Sequence, residues 1–255
     1  MARLLLRSLA ASSFSLALPA LLAAQGFPGP PPKNLQVLPK DLSRNEVVAR
    51  MRVIAMSLGV SCEHCHVSTT GPDGREQNDF AADDKDTKKT ARAMMRMVND
   101  INDQYLITTM GRTLSERHRV SCETCHHGLA KPRTIQAELL DAIDAKGADS
   151  AVALYRDLRS RYLNRGSYDF SELALADFGR LTTQRPAVFA LLKLNLEFYP
   201  QSVPTFTALA QQSLQAGDTA AALDALSKAS AIAPDNPQVK NLLARLKGIR
   251  PNPLH

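Results

Sequence analysis

At 255 residues and 44% hydrophobic content, the chain can bury a core in one large or two modest domains, which excludes global disorder. Aromatic residues make up only 5%, with no Trp, while Ala and Leu abound, so helices are favoured over a β-sandwich. The net charge of +6 is spread among interspersed charges with no basic run interleaved by aromatics, which argues against nucleic acid and leaves an acidic redox partner, anionic lipid or ordinary surface composition as readings.

Arg3 and Arg7 open the chain, Leu4 to Leu22 is mostly apolar, and Leu22-Ala23-Ala24 offers small residues for cleavage. The pattern predicts a signal peptide over 1–24 and a periplasmic protein. The competing reading is a retained anchor over 8–24, which would make the protein membrane-associated, although four serines and Pro19 interrupt it. No cysteine is present here to carry a lipid. Residues 25–36 read as a proline-rich linker, with Gly26 to Pro32 extended and stiff.

Ser43-Arg44-Asn45-Glu46 has the form of a capping box, and Gly59 is a left-handed stop, so a helix is expected from Arg44 to Leu58. Val47, Met51, Ile54, Ala55 and Leu58 share one of its faces. The helix leads into Cys62-Glu63-His64-Cys65-His66, a C-x-x-C-H run that recurs as Cys122-Glu123-Thr124-Cys125-His126. Two thiols at this spacing reach the two vinyl groups of one porphyrin, and the next residue puts an imidazole on the iron. The expected cofactors are therefore two covalently bound haem c groups, on Cys62 and Cys65 and on Cys122 and Cys125, with His66 and His126 as proximal iron ligands. A four-cysteine zinc site leaves both histidines unexplained, and a disulfide framework gives no reason for identical spacing. His64 and His127 are alternative ligands or exposed spacers.

Met51 lies on the helix face expected to cover the first haem, where its thioether would be the distal ligand; plain core packing is the competing role. Met56 is about 140° around the helix and cannot face the same iron. Residues 67–86 are polar and turn-rich and read as a surface loop. Asp86-Thr87 can cap a second helix, roughly Lys88 to Tyr105, in which Met94, Met95 and Met97 cannot all point inward. Met110 is a further candidate ligand, placed where that helix is expected to have ended. Arg92, Lys131 and Arg133 are candidates to pair with haem propionates, against ordinary solvated positions.

Val37-Leu38-Pro39-Lys40, Met51 through Cys62, Asp79-Phe80-Ala81, Ala91 through Asn102, and Val120 through Gly128 together resemble the cytochrome c subunit family of photosynthetic reaction centres. The resemblance covers about residues 34–133. It implies a helix-borne methionine on the far side of each iron, Met51 for the first haem and Met97 for the second. The family subunit carries four haems where this chain has runs for two. It often has an N-terminal lipid-bearing cysteine that is missing here, and its distal histidine has no clear counterpart, since His118 falls too close to Cys122.

Beyond Lys131-Pro132-Arg133 the composition turns Ala/Leu-rich. Leu175 and Ala176 recur 34 residues on as Leu209 and Ala210, Leu192 as Leu226 and Pro200 as Pro234, the tetratricopeptide period. Residues 136–165 are expected to add another packing pair. The fold expected is mainly α: a dihaem cytochrome c domain over 37–133, then a helical tetratricopeptide-like domain over 134–255. The expected function is single-electron transfer between redox partner proteins, photosynthetic or respiratory, with partner docking on the repeats. The rivals are a dihaem peroxidase, with His118 or His127 beside an open iron, and a repeat scaffold with a haem sensor.

Overall fold

A computed structural model describes residues 30–110 and 118–248. The expected signal peptide, the first part of the linker and Gly111 lie outside these residues. The fold is mainly helical.

Helix α1 spans Arg44–Leu58. Ser43 and Glu46 close the capping box, Glu46 Oε2 accepting from Ser43 N at 2.8 Å, and such a cap contributes about 1 kcal/mol. Gly59, at φ 65°, ends the helix as Val60 N reverses to donate to Ala55 O at 3.0 Å. A short 3-10 turn, Cys62–His64, follows.

The expected loop over 67–86 is in part an antiparallel hairpin, β1 (Val67–Thr70) and β2 (Glu76–Asp79), with Val67 opposite Asp79 and Thr70 opposite Glu76. β-branched Val67, Thr69 and Thr70 favour β1, and Gly71-Pro72-Asp73-Gly74 makes the turn. Neither strand has a buried face, so no alternation marked it in the sequence.

Helix α2 spans Asp86–Asp100 and starts two residues earlier than expected, with Lys85 as the residue before it. Asp86-Thr87 does not cap it; the Thr87 hydroxyl is committed elsewhere, donating to His64 O at 2.5 Å. Nor does the helix stop at Tyr105. A π turn over Ile101–Tyr105 passes into α3 (Leu106–Met110), so Met110 is helical. The second motif is itself a helix, α4 (Cys122–His126), which packs on α1.

The remainder is a run of helices: α5 (Ile135–Lys146), α6 (Ala148–Tyr162), α7 (Leu173–Ala176), α8 (Arg185–Phe198), α9 (Val203–Gln215), α10 (Thr219–Ile232) and α11 (Pro237–Leu246). Side-chain oxygens of Thr134, Ser202, Asp218 and Asn236 cap α5, α9, α10 and α11. Ile135, Leu139, Tyr155, Phe178 and Leu191 anchor one core, and Ala210, Ala222, Leu226 and Ala229 let α9 and α10 close into a tight hairpin around a second. The unit before that hairpin is irregular. Its leading segment is reduced to α7 and a 3-10 turn, Phe178–Arg180, where a Cβ on Gly179 would lie 2.4 Å from Gln212 Nε2. The broken helix accounts for the weaker repeat pattern there.

Candidate haem-attachment sites

Each motif brings its cysteines and histidine together within one turn of backbone. In the first, Cys65 N and His66 N both donate to Cys62 O, at 3.2 and 3.0 Å. In the second, Ser121 N donates to Thr124 Oγ1 at 3.0 Å, starting α4 at Cys122. All four cysteines are free thiols, Cys62 and Cys125 exposed and Cys65 and Cys122 half-buried. Burial pushes the Cys65 and Cys122 thiols up from their ordinary pKa. Among the described residues no three His, Cys, Asp or Glu side chains gather as a metal-ligand set, so the two motifs do not merge into a shared four-cysteine site.

The motifs meet at a narrow joint. Gly128 N donates to the carbonyl of buried Ser57 at 2.9 Å, and a Cβ on Gly59 would lie 2.1 Å from Gly128 O. The end of α1, just ahead of the first motif, is thus locked to the residue just past the second. Ser167 Oγ extends the lock by donating to His127 O at 2.6 Å.

The first motif is held from outside by the start of α2 and by β2. Lys85 Nζ donates to Glu63 O, Thr87 to His64 O, and Asn78 Nδ2 to Glu63 Oε1 at 3.4 Å. Behind it Lys88, 8% exposed, donates to Phe80 O at 3.0 Å and Ala82 O at 2.5 Å and pairs with Asp83 at 3.0 Å. Asp83 also takes Arg92 at 2.8 Å and Asn34 Nδ2 at 3.0 Å. Arg92, then Asn34 and Lys88, hold the Asp83 carboxyl far below the usual carboxylate range. Burial first, then the charges of Lys88, Lys85 and Arg92, lower the His66 pKa, a shift toward the neutral imidazole that ligates a metal.

At the second motif, His126 Nδ1 faces Leu129 O at 2.7 Å. A carbonyl accepts only, so Nδ1 carries the proton and Nε2 is the nitrogen left for a metal. Asn102, buried in the π turn, holds the chain ahead of the motif through Val120.

The methionines do not form a packed core. Met51 is half-buried, as are Val47, Ile54, Ala55 and Leu58 on its face. Met97 is 45% exposed and Met56 78%; Met94 and Met110 are also exposed, while Met95 is half-buried. His64, His118 and His127 are exposed. Arg92 and Arg133, candidates for propionate pairing, each form an ion pair with a protein carboxylate, Arg92 with Asp83 at 2.8 Å and Arg133 with Asp141 at 2.6 Å. Phe80, which stands edge-on to His66 with centroids 5.0 Å apart, together with Asn102 and Asp83, was assigned no role from sequence. The signal for Phe80 was the Asp79-Phe80-Ala81 run; Asn102 stands among polar neighbours, Asn99-Asp100 and Asp103-Gln104, and had none.

One observation tests whether these residues fit a haem. Among the described residues, every buried apolar side chain except Leu129 lies at or beyond Ile135. The segment with both motifs therefore has apolar faces and almost nothing of its own to bury them on. Two porphyrins held by the four thiols would supply that apolar surface, so the donor set and its surroundings fit the group.

Residues 36–145 match the photosynthetic reaction centre cytochrome C subunit family. Over that segment the chain is similar to the reaction centre cytochrome c family. The match runs past Arg133 into α5. Cytochrome c-554 of Chloroflexus aurantiacus is 30% identical over 94 residues, 37% of this chain and 20% of that protein. The chain thus spans about a fifth of the length of the curated relative it matches. No solved structure matches the chain. A reaction-centre-type cytochrome segment implies covalently bound haem c, and its two C-x-x-C-H runs are the residues that would hold it. No helix among the described residues is long and apolar enough to cross a membrane.

Proposed function

We propose that the chain is an exported dihaem c-type cytochrome that carries single electrons between redox partner proteins. The observation that supports this most directly is the pairing of two C-x-x-C-H turns with a segment that lacks an apolar core of its own. Haem c, when bound, supplies reversible one-electron iron chemistry. The chain's part is to fix, shield and tune it. Cys62 and Cys65, and Cys122 and Cys125, would form the thioether links, and His66, His126, Met51 and Met97 would ligate the irons. Methionine opposite histidine raises the reduction potential and closes the site to small ligands, which favours a carrier over a peroxidase.

The helices from α5 onward form a tetratricopeptide-like docking element for a protein partner. Export is supported by the apolar, Arg-led start of the sequence and by the need for haem attachment outside the bacterial cytoplasm.

Visible spectra of the reduced, haem-loaded chain test the carrier reading. Low-spin bands from both haems, unaltered by carbon monoxide or peroxide, are expected. A high-spin fraction that binds either reagent would assign the chain to the peroxidase class instead.

A further inference from the structure

The two motifs differ behind the histidine. His126 Nδ1 donates to Leu129 O at 2.7 Å, whereas His66 Nδ1 is buried and has no hydrogen-bond partner. The local chain makes this difference. After His126, His127 (φ 45°) and Gly128 (φ 80°) turn the backbone left-handed, and Leu129 N comes back to His126 O at 2.8 Å. After His66 the chain leaves as β1, and the residue equivalent to Leu129, Thr69, lies in the ladder opposite Gln77. What His66 meets is the Phe80 ring, in a T-shaped contact with an interplanar angle of 71°.

A proximal imidazole that donates from Nδ1 is the more basic ligand and stabilises ferric over ferrous iron. His66 lacks that donation. It also sits among Lys85, Lys88 and Arg92, set against Asp79 and Asp83, so the local balance is positive. Nearby positive charge disfavours the higher oxidation state. Both features of the first site act in the same direction, and with methionine proposed opposite both histidines the Nδ1 hydrogen bond is where the sites diverge.

We infer that the haem held by Cys62, Cys65 and His66 has the higher potential, and the haem held by Cys122, Cys125 and His126 the lower. In a half-reduced chain the single electron rests at the first motif, whose iron is ferrous while that at the second is ferric. The inference rests on the dihaem reading and adds the order to it.

A spectroelectrochemical titration of the full haem-loaded chain tests this, with haem content per chain measured first. Two waves are expected, separated by at least tenfold in the electron's distribution, about 59 mV for one-electron carriers. The Cys122→Ala/Cys125→Ala chain should retain the upper wave. Phe80→Gln, which brings an amide oxygen to His66, should lower the upper wave only. Coincident waves, an upper wave retained instead by Cys62→Ala/Cys65→Ala, or a Phe80→Gln titration in which the upper wave does not move would overturn the order. If the cysteine variants fail to load haem, the Phe80→Gln titration decides alone. Fewer than two haems per chain would instead refute the dihaem reading.

Discussion

Asn102 grips Val120 with both ends of its side-chain amide: Nδ2 donates to Val120 O and Oδ1 accepts from Val120 N, each at 2.8 Å. The π turn that carries Asn102 continues the helix of Met97, and Val120 stands two residues before Cys122. The equivalent residue of the first motif, Val60, is held by α1 itself through Ala55 O. The second motif, further from its helix in sequence, is held by a side chain instead.

Asn102→Ala leaves both Val120 backbone groups without these partners and should destabilise the haem-loaded chain by about 2–4 kcal/mol. Asn102→Asp keeps the acceptor but sets a buried carboxylate oxygen against Val120 O, and should lose more at neutral pH. Denaturant midpoints of the two variants measure the difference, and equal midpoints would remove the clamp from the account.

Gly59→Ala places a Cβ 2.1 Å from Gly128 O at a left-handed φ of 65°. Strain of about 1–2 kcal/mol adds to a backbone clash that cannot relax without moving the joint between the motifs. Gly74 has a similar φ, 74°, but open space around it, so Gly74→Ala should cost the strain alone. Thermal unfolding of the two variants should therefore separate clearly, with Gly59→Ala lower.

Asp83 gives a pH signature. Its folded-state pKa is depressed, so its contribution to stability is fully present above the ordinary carboxylate pKa of about 4 and is lost as pH falls below that value. Asp83→Asn should be less stable at neutral pH and lack this dependence. Unfolding midpoints of the two proteins should converge below pH 4; a constant gap down to pH 2 would contradict the assignment.

If Met51 and Met97 are the proposed ligands, Met51→Ala should lower the potential of the first haem and Met97→Ala that of the second, because each would remove a thioether from iron. Met56→Ala and Met94→Ala should leave both waves in place. Titrations in which Met51→Ala or Met97→Ala changes nothing would remove that residue as a ligand.

The sequence was most legible where structure is local. The Ser43–Glu46 box and Gly59 mark α1 at both ends, and the two C-x-x-C-H spacings describe one turn of chain each. Legibility fell where structure depends on distant neighbours. The hairpin of Val67–Thr70 and Glu76–Asp79 has no core-facing side and so no period of two. The π turn at Asn102 sits inside an unbroken helical pattern, and its purpose appears only with Val120 across from it. The methionine faces remained ambiguous for a related reason. An apolar stripe reads the same whether protein or porphyrin covers it, and only the scarcity of buried apolar side chains before Ile135 separates the two.

The central claim is that both cysteine pairs hold haem. Pyridine haemochrome absorbance of the purified chain, set against protein mass, measures this directly. The account predicts two thioether-linked haems per chain, falling to one when either cysteine pair is replaced by alanine. A chain that exports and folds with no covalent haem, or with one that survives loss of either pair, would contradict it.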